Sequence, residues 1–251
     1  MRPASPTLFR LLMPVAAGAL LTGCAVATMP VSAADGGTGD GAVSSPVERT
    51  EQTIASVRDP ESPTHAAYGD VVTVSGVVTD LKTAGKTHGF FLQDPKATSW
   101  AAVYVFVDAA DVSVSAGDTV TVTGTYSTFF GLDEIKIADG GITPKGRAAR
   151  PRPLDVTVRD IAAGGPREAE LQSMLVRVRN ATATSSTNGT EFGITDASGG
   201  AIVVSSYVAN DIAPSPFPAS TGQRFSSIVG HPYAHNAAQL APARAADVVA
   251  P

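Results

Sequence analysis

The sequence contains one cysteine, Cys24, so no disulfide can form within the chain and stability must come from apolar cores. It has one tryptophan, and no apolar run approaches the about 20 residues that a membrane-spanning helix needs. It lacks a metalloprotease box, because His231-Pro232-Tyr233-Ala234-His235 has helical spacing for two imidazoles but carries a proline and no glutamate. The Ser/Thr stretches hold no nucleophile elbow. The carboxylates of Asp133-Glu134 and Asp108-Ala109-Ala110-Asp111 have no histidine beside them and read as solubilising turn residues, with Asp108 alternatively a helix cap. These absences predict no catalytic site, no metal and no cofactor. Positive charge is short as well: 18 Lys and Arg stand against 23 Asp and Glu, a net of −5 that disfavours nonspecific binding to nucleic acid.

What is present begins ahead of Cys24. Arg2 and Arg10 form a basic front, residues 11–21 an apolar stretch, and Leu21-Thr22-Gly23-Cys24 a run of mostly small residues at a cut, the three parts of a processed export signal. The arrangement resembles the lipobox of bacterial lipoproteins. That resemblance implies removal of residues 1–23 and acylation of Cys24, a stable anchor where a single acyl chain would hold only marginally. The processed chain would carry a net of −7. The implied location is the bacterial cell envelope, facing periplasm or exterior; Ala25 brings no inner-membrane retention acid, which favours the outer membrane in a cell with two membranes. Residues 24–46, rich in Gly, Ala, Ser and Thr, bury too little apolar surface to offset chain entropy and read as a flexible tether.

Beyond the tether the pattern is alternation with period two, the mark of half-buried strands. Runs at 71–79, 89–94, 101–107, 119–126 and 133–137, each bounded by Gly, Pro, Asp or Ser, predict a five-stranded barrel within residues 47–147, with Phe129-Phe130-Gly131-Leu132 as the last hairpin turn. Residues 148–251 repeat the order at an offset of just over one hundred. Thr53-Ile54-Ala55-Ser56-Val57 corresponds to Thr157-Val158-Arg159-Asp160-Ile161, and Phe90-Phe91-Leu92-Gln93-Asp94 to Phe192-Gly193-Ile194-Thr195-Asp196. Ala116-Gly117-Asp118 corresponds to Thr221-Gly222-Gln223, and residues 120–124 to 225–230, where Gly124 and Gly230 are each expected to end the fourth strand before an aromatic loop. The expected fold is all-β, two tandem five-stranded barrels joined through the Pro- and Arg-rich stretch between Ile142 and Pro153.

Residues 69–79, 89–94 and 117–124, with 174–178, 225–230 and 240–249 in the second half, resemble the OB-fold domains that accompany bacterial extracellular nucleases of the endonuclease/exonuclease/phosphatase class. The resemblance spans roughly residues 53–249 and implies a strand framework. Where those nucleases continue into a catalytic domain this sequence reaches Pro251, and nothing in it matches their catalytic motifs, so it is expected not to be an enzyme.

An OB fold offers one face of strands two and three with flanking loops, used for oligonucleotides and oligosaccharides. Lys86, His88, Phe90, Phe91, Trp100, Tyr104 and Phe106 would occupy that region. Phe90 and Phe91 are strand neighbours and face opposite sides, so one belongs to the core and the other either contacts a ligand or packs at an edge. Trp100 either stacks on a base or sugar or plugs the barrel end. Phe129 and Phe130, at a hairpin tip, point to a partner or to the neighbouring domain. Among the arginines, Arg177 and Arg179 are the candidate anion contacts, unless Asp155, Asp160, Glu168 and Glu170 pair with the cluster. The sequence therefore predicts a lipid-anchored binding module for an extended nucleic acid or glycan, or for a protein partner. Its alternatives are an accessory subunit presenting OB domains to a separate secreted nuclease, and a structural envelope lipoprotein.

Overall fold

In the computed structural model of the chain, β-branched alternation turns directly into a barrel wall. The structure describes residues 50–82, 88–108, 112–137, 140–188, 190–209, 217–235 and 237–251. Cys24, the signal, the tether and Lys86 lie outside the described residues. Val47–Pro251 forms one compact unit.

A helical turn, α1 (Ile54–Arg58), precedes five strands: β1 (Val71–Lys82), β2 (His88–Gln93), β3 (Ala102–Val107), β4 (Asp118–Phe129) and β5 (Leu132–Ile137). Their order is β1-β2-β3-β5-β4, with β3 and β5 parallel, and β1 pairs with β4 to close the ring. Val72, Val74, Phe90, Leu92, Val103, Val105, Val120, Val122 and Ile135 fill its interior, where each large side chain contributes about 1.5–3 kcal/mol. β6 (Ile142–Arg147) adds to the outside of β4.

The second half repeats this plan. β7 (Leu154–Val156), α2 (Val158–Ile161) and α3 (Glu168–Leu171) lead into β8 (Val176–Ala183), β9 (Glu191–Thr195), β10 (Ala201–Ser205), β11 (Arg224–Ala234) and β12 (Ala238–Ala241), and β13 (Val248–Val249) follows. The ring is β8-β9-β10-β12-β11, closed by β8 on β11, again with one parallel pair, β10 and β12. The chain is thus all-β with two closed five-stranded barrels in tandem, the OB topology.

The repeat extends to local chemistry. Thr53 and Thr157 cap α1 and α2, each accepting a backbone N–H three residues on. A parallel pairing precedes each helix, Gln52 with Val74 and Leu154 with Val176. Gly117 (φ 90°) and Gly222 (φ 84°) both adopt the left-handed conformation that favours glycine, and each donates its N–H across the barrel, to Val78 O and Ala183 O respectively.

One expectation is corrected. Gly124 and Gly230 do not end their strands: β4 continues to Phe129 and β11 to Ala234, so Tyr126, Phe129 and Tyr233 are strand residues, and only Phe130 lies in the turn. Each glycine instead admits a crossing backbone, because a Cβ on Gly124 would lie 2.6 Å from Lys136 O and one on Gly230 2.8 Å from Ala241 O. Gly230→Ala is therefore expected to destabilise by about 1–3 kcal/mol through overpacking against backbone that cannot rotate away. Urea unfolding followed by circular dichroism checks this; an unshifted midpoint would show that β12 yields freely.

Candidate functional site

Strands two and three of the first barrel expose alternate residues outward, and the second barrel covers most of them. Phe90 points into its own barrel, whereas Phe91 points out and is fully buried in a separate cluster with Tyr104, Leu132, Val208, Tyr233 and Ala241. Its ring stacks on His231 of β11, with centroids 4.0 Å apart and planes 5° off parallel. The surface role open to one of the two phenylalanines is therefore closed. Period-two alternation sends Phe91 outward but says nothing about what lies there.

Two polar assemblies hold this seam. In the first, Asp80 at the end of β1 accepts from Arg150, which lies in the inter-barrel connection, and from Arg244 at 3.2 Å. His231 Nε2 lies 2.9 Å from the same carboxylate and Nδ1 2.9 Å from Ser173 O. A carbonyl and a carboxylate only accept, so each ring nitrogen faces an acceptor. Burial would raise the Asp80 carboxyl, but the His231 hydrogen bond and the charges of His231 and Arg150 outweigh it and hold it below its usual range.

In the second assembly, Arg58, 2% exposed, donates to Ala102 O (2.8 Å) of the first barrel and to Gln172 O (3.0 Å) and Ala169 O (2.9 Å) of the second. It also pairs with Asp133 at 3.2 Å, and its guanidinium lies 5.4 Å over the Trp100 ring. Trp100 is half-buried outside both barrel cores, with φ 51° and its backbone N–H donating to Glu170 O at 3.1 Å. It is a seam residue, neither a barrel plug nor a free platform.

What the second barrel leaves uncovered is a cavity of about 170 Å³ on the outer face of β3 and β5. Tyr104, Phe106, Phe129, Glu134, Lys136 and Tyr207 line it, with Leu132 at its base. Tyr207 comes from the second barrel and stacks on Tyr233, centroids 4.7 Å apart, while Lys82 Nζ lies 4.6 Å over its ring. Phe129, 48% exposed, packs edge-on against Phe130, 51% exposed, which in turn meets His235 at 5.0 Å. Glu134 is 8% exposed; burial raises its carboxyl despite the Ser127 hydroxyl, which donates at 3.3 Å. The expectation that Asp133 and Glu134 are solubilising turn residues is thus corrected: both lie on β5, one paired at the seam and the other in the cavity wall.

The remaining candidates lie elsewhere. Arg177 and Arg179 are on β8, where both donate to Asp155, at 2.6 and 3.0 Å. Those hydrogen bonds hold the Asp155 carboxyl down to about 2. The arginines are thus compensated by the acid that the sequence set against them. His88 opens β2 and is half-buried. His231 and His235 lie on or just past a strand, and among the described residues no three metal-binding side chains cluster. No helix among them is long and apolar enough to cross a membrane.

No protein-family description and no curated protein matches the chain. Among solved structures, it is similar to fission yeast Pot1 with ssDNA, at 10% identity over 78% of this chain and 84% of that one, with a TM-score of 0.34. It is also similar to the tetrameric p202 HIN2, at 15% identity over 70% and 91% (TM-score 0.32), and to a murine DNA binding protein bound with ds DNA, at 14% over 68% and 90% (TM-score 0.32). At such identities and TM-scores, what those proteins bind is said of them alone.

Proposed function

We propose that the chain is a lipid-anchored envelope protein without catalytic activity, whose tandem OB unit holds a ring-bearing polymer, a glycan or a nucleic acid, by stacking it at the seam of the barrels. The observation that carries this reading is the aromatic cavity left open on β3 and β5 beside two half-exposed phenylalanines, Phe129 and Phe130. Monomeric proteins keep contiguous exposed apolar surface small, and where it is rimmed by polar residues it marks an interaction site. Each aromatic that stacks on a ring contributes about 1–3 kcal/mol.

Phe129→Ala is expected to weaken polymer binding about tenfold and leave the circular dichroism spectrum unchanged, because the side chain is half in solvent. Replacing Arg177 and Arg179 with alanine is expected to leave binding unaltered, since both are already paired. Titration of the soluble fragment beginning at Val47 with single-stranded DNA, RNA and glycans tests the reading. Salt-dependent binding that disappears with the two arginines would move the site to β8 and make nucleic acid the ligand. Retention of a secreted nuclease, with no polymer bound, would favour the accessory-subunit reading.

A further inference from the structure

The cavity is small and chemically mixed, and the two properties together narrow what it takes. At about 170 Å³ it is well below the roughly 300–1,000 Å³ of sites that enclose a drug-sized ligand, so a single ring fits and any chain attached to it must continue outside. Tyr207 is already covered by Tyr233 and the Lys82 ammonium, so among the lining aromatics the half-exposed Phe129 offers the open ring.

Three polar groups share these walls. The Tyr104 hydroxyl is sealed over Gly89 with no hydrogen-bond partner among the described residues, so it shapes the wall rather than meeting a ligand. Its proton is held far more tightly than usual, chiefly by burial and then by the nearby Tyr207 phenol and Glu134 carboxylate, both of which line the cavity. Glu134 accepts from Ser127 through one oxygen, and its other oxygen accepts nothing among the described residues. Lys136 rests its ammonium 5.4 Å over the Phe106 ring.

A phosphate or uronate brought against Glu134 would meet a buried carboxylate, and like charges in a low-dielectric site repel strongly. An uncharged polyol ring has the opposite fit: a C–H face lies on an aromatic ring, and its hydroxyls both donate to the Glu134 carboxylate and accept from the Lys136 ammonium. We infer that this cavity binds one pyranose ring of a neutral oligosaccharide, held against Phe129 and hydrogen-bonded by Glu134 and Lys136. The inference rests on the binding-module reading and narrows it to one ligand class.

The test is ligand-observed saturation-transfer NMR on the full chain carrying Cys24→Ser. The probes are cellotetraose, maltotetraose, xylotetraose, chitotetraose and a thymidine decanucleotide. At least one neutral tetrasaccharide should receive saturation at one ring more than at the others, unchanged by high salt. Tyr207→Ala and, as a milder change at the half-exposed wall, Phe129→Ser should each weaken it about tenfold, and Glu134→Gln severalfold. Binding of the decanucleotide alone, lost with Tyr207→Ala, would overturn the sugar assignment and leave the binding module standing. Tetrasaccharide binding that survives all three substitutions would also overturn it. Failure of every probe to bind would overturn both readings.

Discussion

Asp80→Ala is expected to lower the stability of the tandem unit by about 3–5 kcal/mol, the usual consequence of removing one partner from a buried ion pair. Asp80 is 5% exposed and joins four parts of the chain: its own strand β1, His231 on β11, Arg150 in the connection and Arg244 near the C-terminus. Truncation leaves Nε2 of the fully buried His231 ring without its acceptor, and Arg150 with the Thr79 carbonyl and, 3.9 Å away, Asp247. Because His231 is also the surface on which Phe91 stacks, the damage reaches the apolar part of the seam. Urea unfolding followed by circular dichroism should show the midpoint fall steeply. Asp80→Ala combined with His231→Phe should recover part of the loss, since the stacked ring is kept and the buried nitrogen left without a partner is gone. A midpoint that does not move in the single variant would show that the network adds nothing to the fold.

The same carboxylate sets an acid limit. Its folded-state pKa lies below the ordinary 3.8, so the network's contribution is fully present above that value, declines as pH falls through it, and is gone below the depressed folded value. Asp80→Asn should flatten that acid decline and lower the plateau at neutral pH. The other charged groups around it, Arg150, Arg244 and Asp247, face the same pocket and remain in both proteins.

The barrels were legible in the sequence because their signals are local. Alternating valines in 71–79 require one face inside, and the paired landmarks Thr53 and Thr157, Phe90 and Phe192, and Gly117 and Gly222 take equivalent places in the two rings. The site was legible only in fragments, because it is made where the rings meet. Phe91 reads as outward-facing from alternation alone; its burial depends on His231, 140 residues later. Glu134 looks like a solvated turn carboxylate until β5 is paired parallel to β3 and Tyr207 lies across the cavity. Tyr207 itself sits in a stretch, Ser205-Ser206-Tyr207-Val208, with no period to single it out. Asp80 and Arg58 entered the sequence reading only as unit charges, since nothing local distinguishes a buried ion from a solvated one. The arginines that sequence proximity did single out, Arg177 and Arg179, lie on β8 beside Asp155 of β7, and both pair with that one carboxylate.

Arg58→Met should cost a similar amount, about 3–5 kcal/mol, by a different route. The methionine keeps much of the stem volume but removes the donors that satisfy the Ala102, Ala169 and Gln172 carbonyls, and each buried acceptor left unmade costs about 1–3 kcal/mol. Arg58→Lys should not rescue it, because a single ammonium cannot present the planar fork that reaches carbonyls on both barrels and Asp133 at once. Asp133→Ala should cost less: its carboxylate is 16% exposed, and Tyr68 and Arg58 both keep solvent within reach or other partners. Since Arg58 contributes to both rings, its loss should also separate their unfolding. Trp100 lies under its guanidinium, so Trp100 fluorescence reports the seam, while circular dichroism reports the strands. In the unaltered chain the two signals should change together; in Arg58→Met the fluorescence change should come at lower urea. Coincident transitions in both would mean that the barrels are joined chiefly through Phe91 and the Asp80 network, and that the guanidinium only fills space between them.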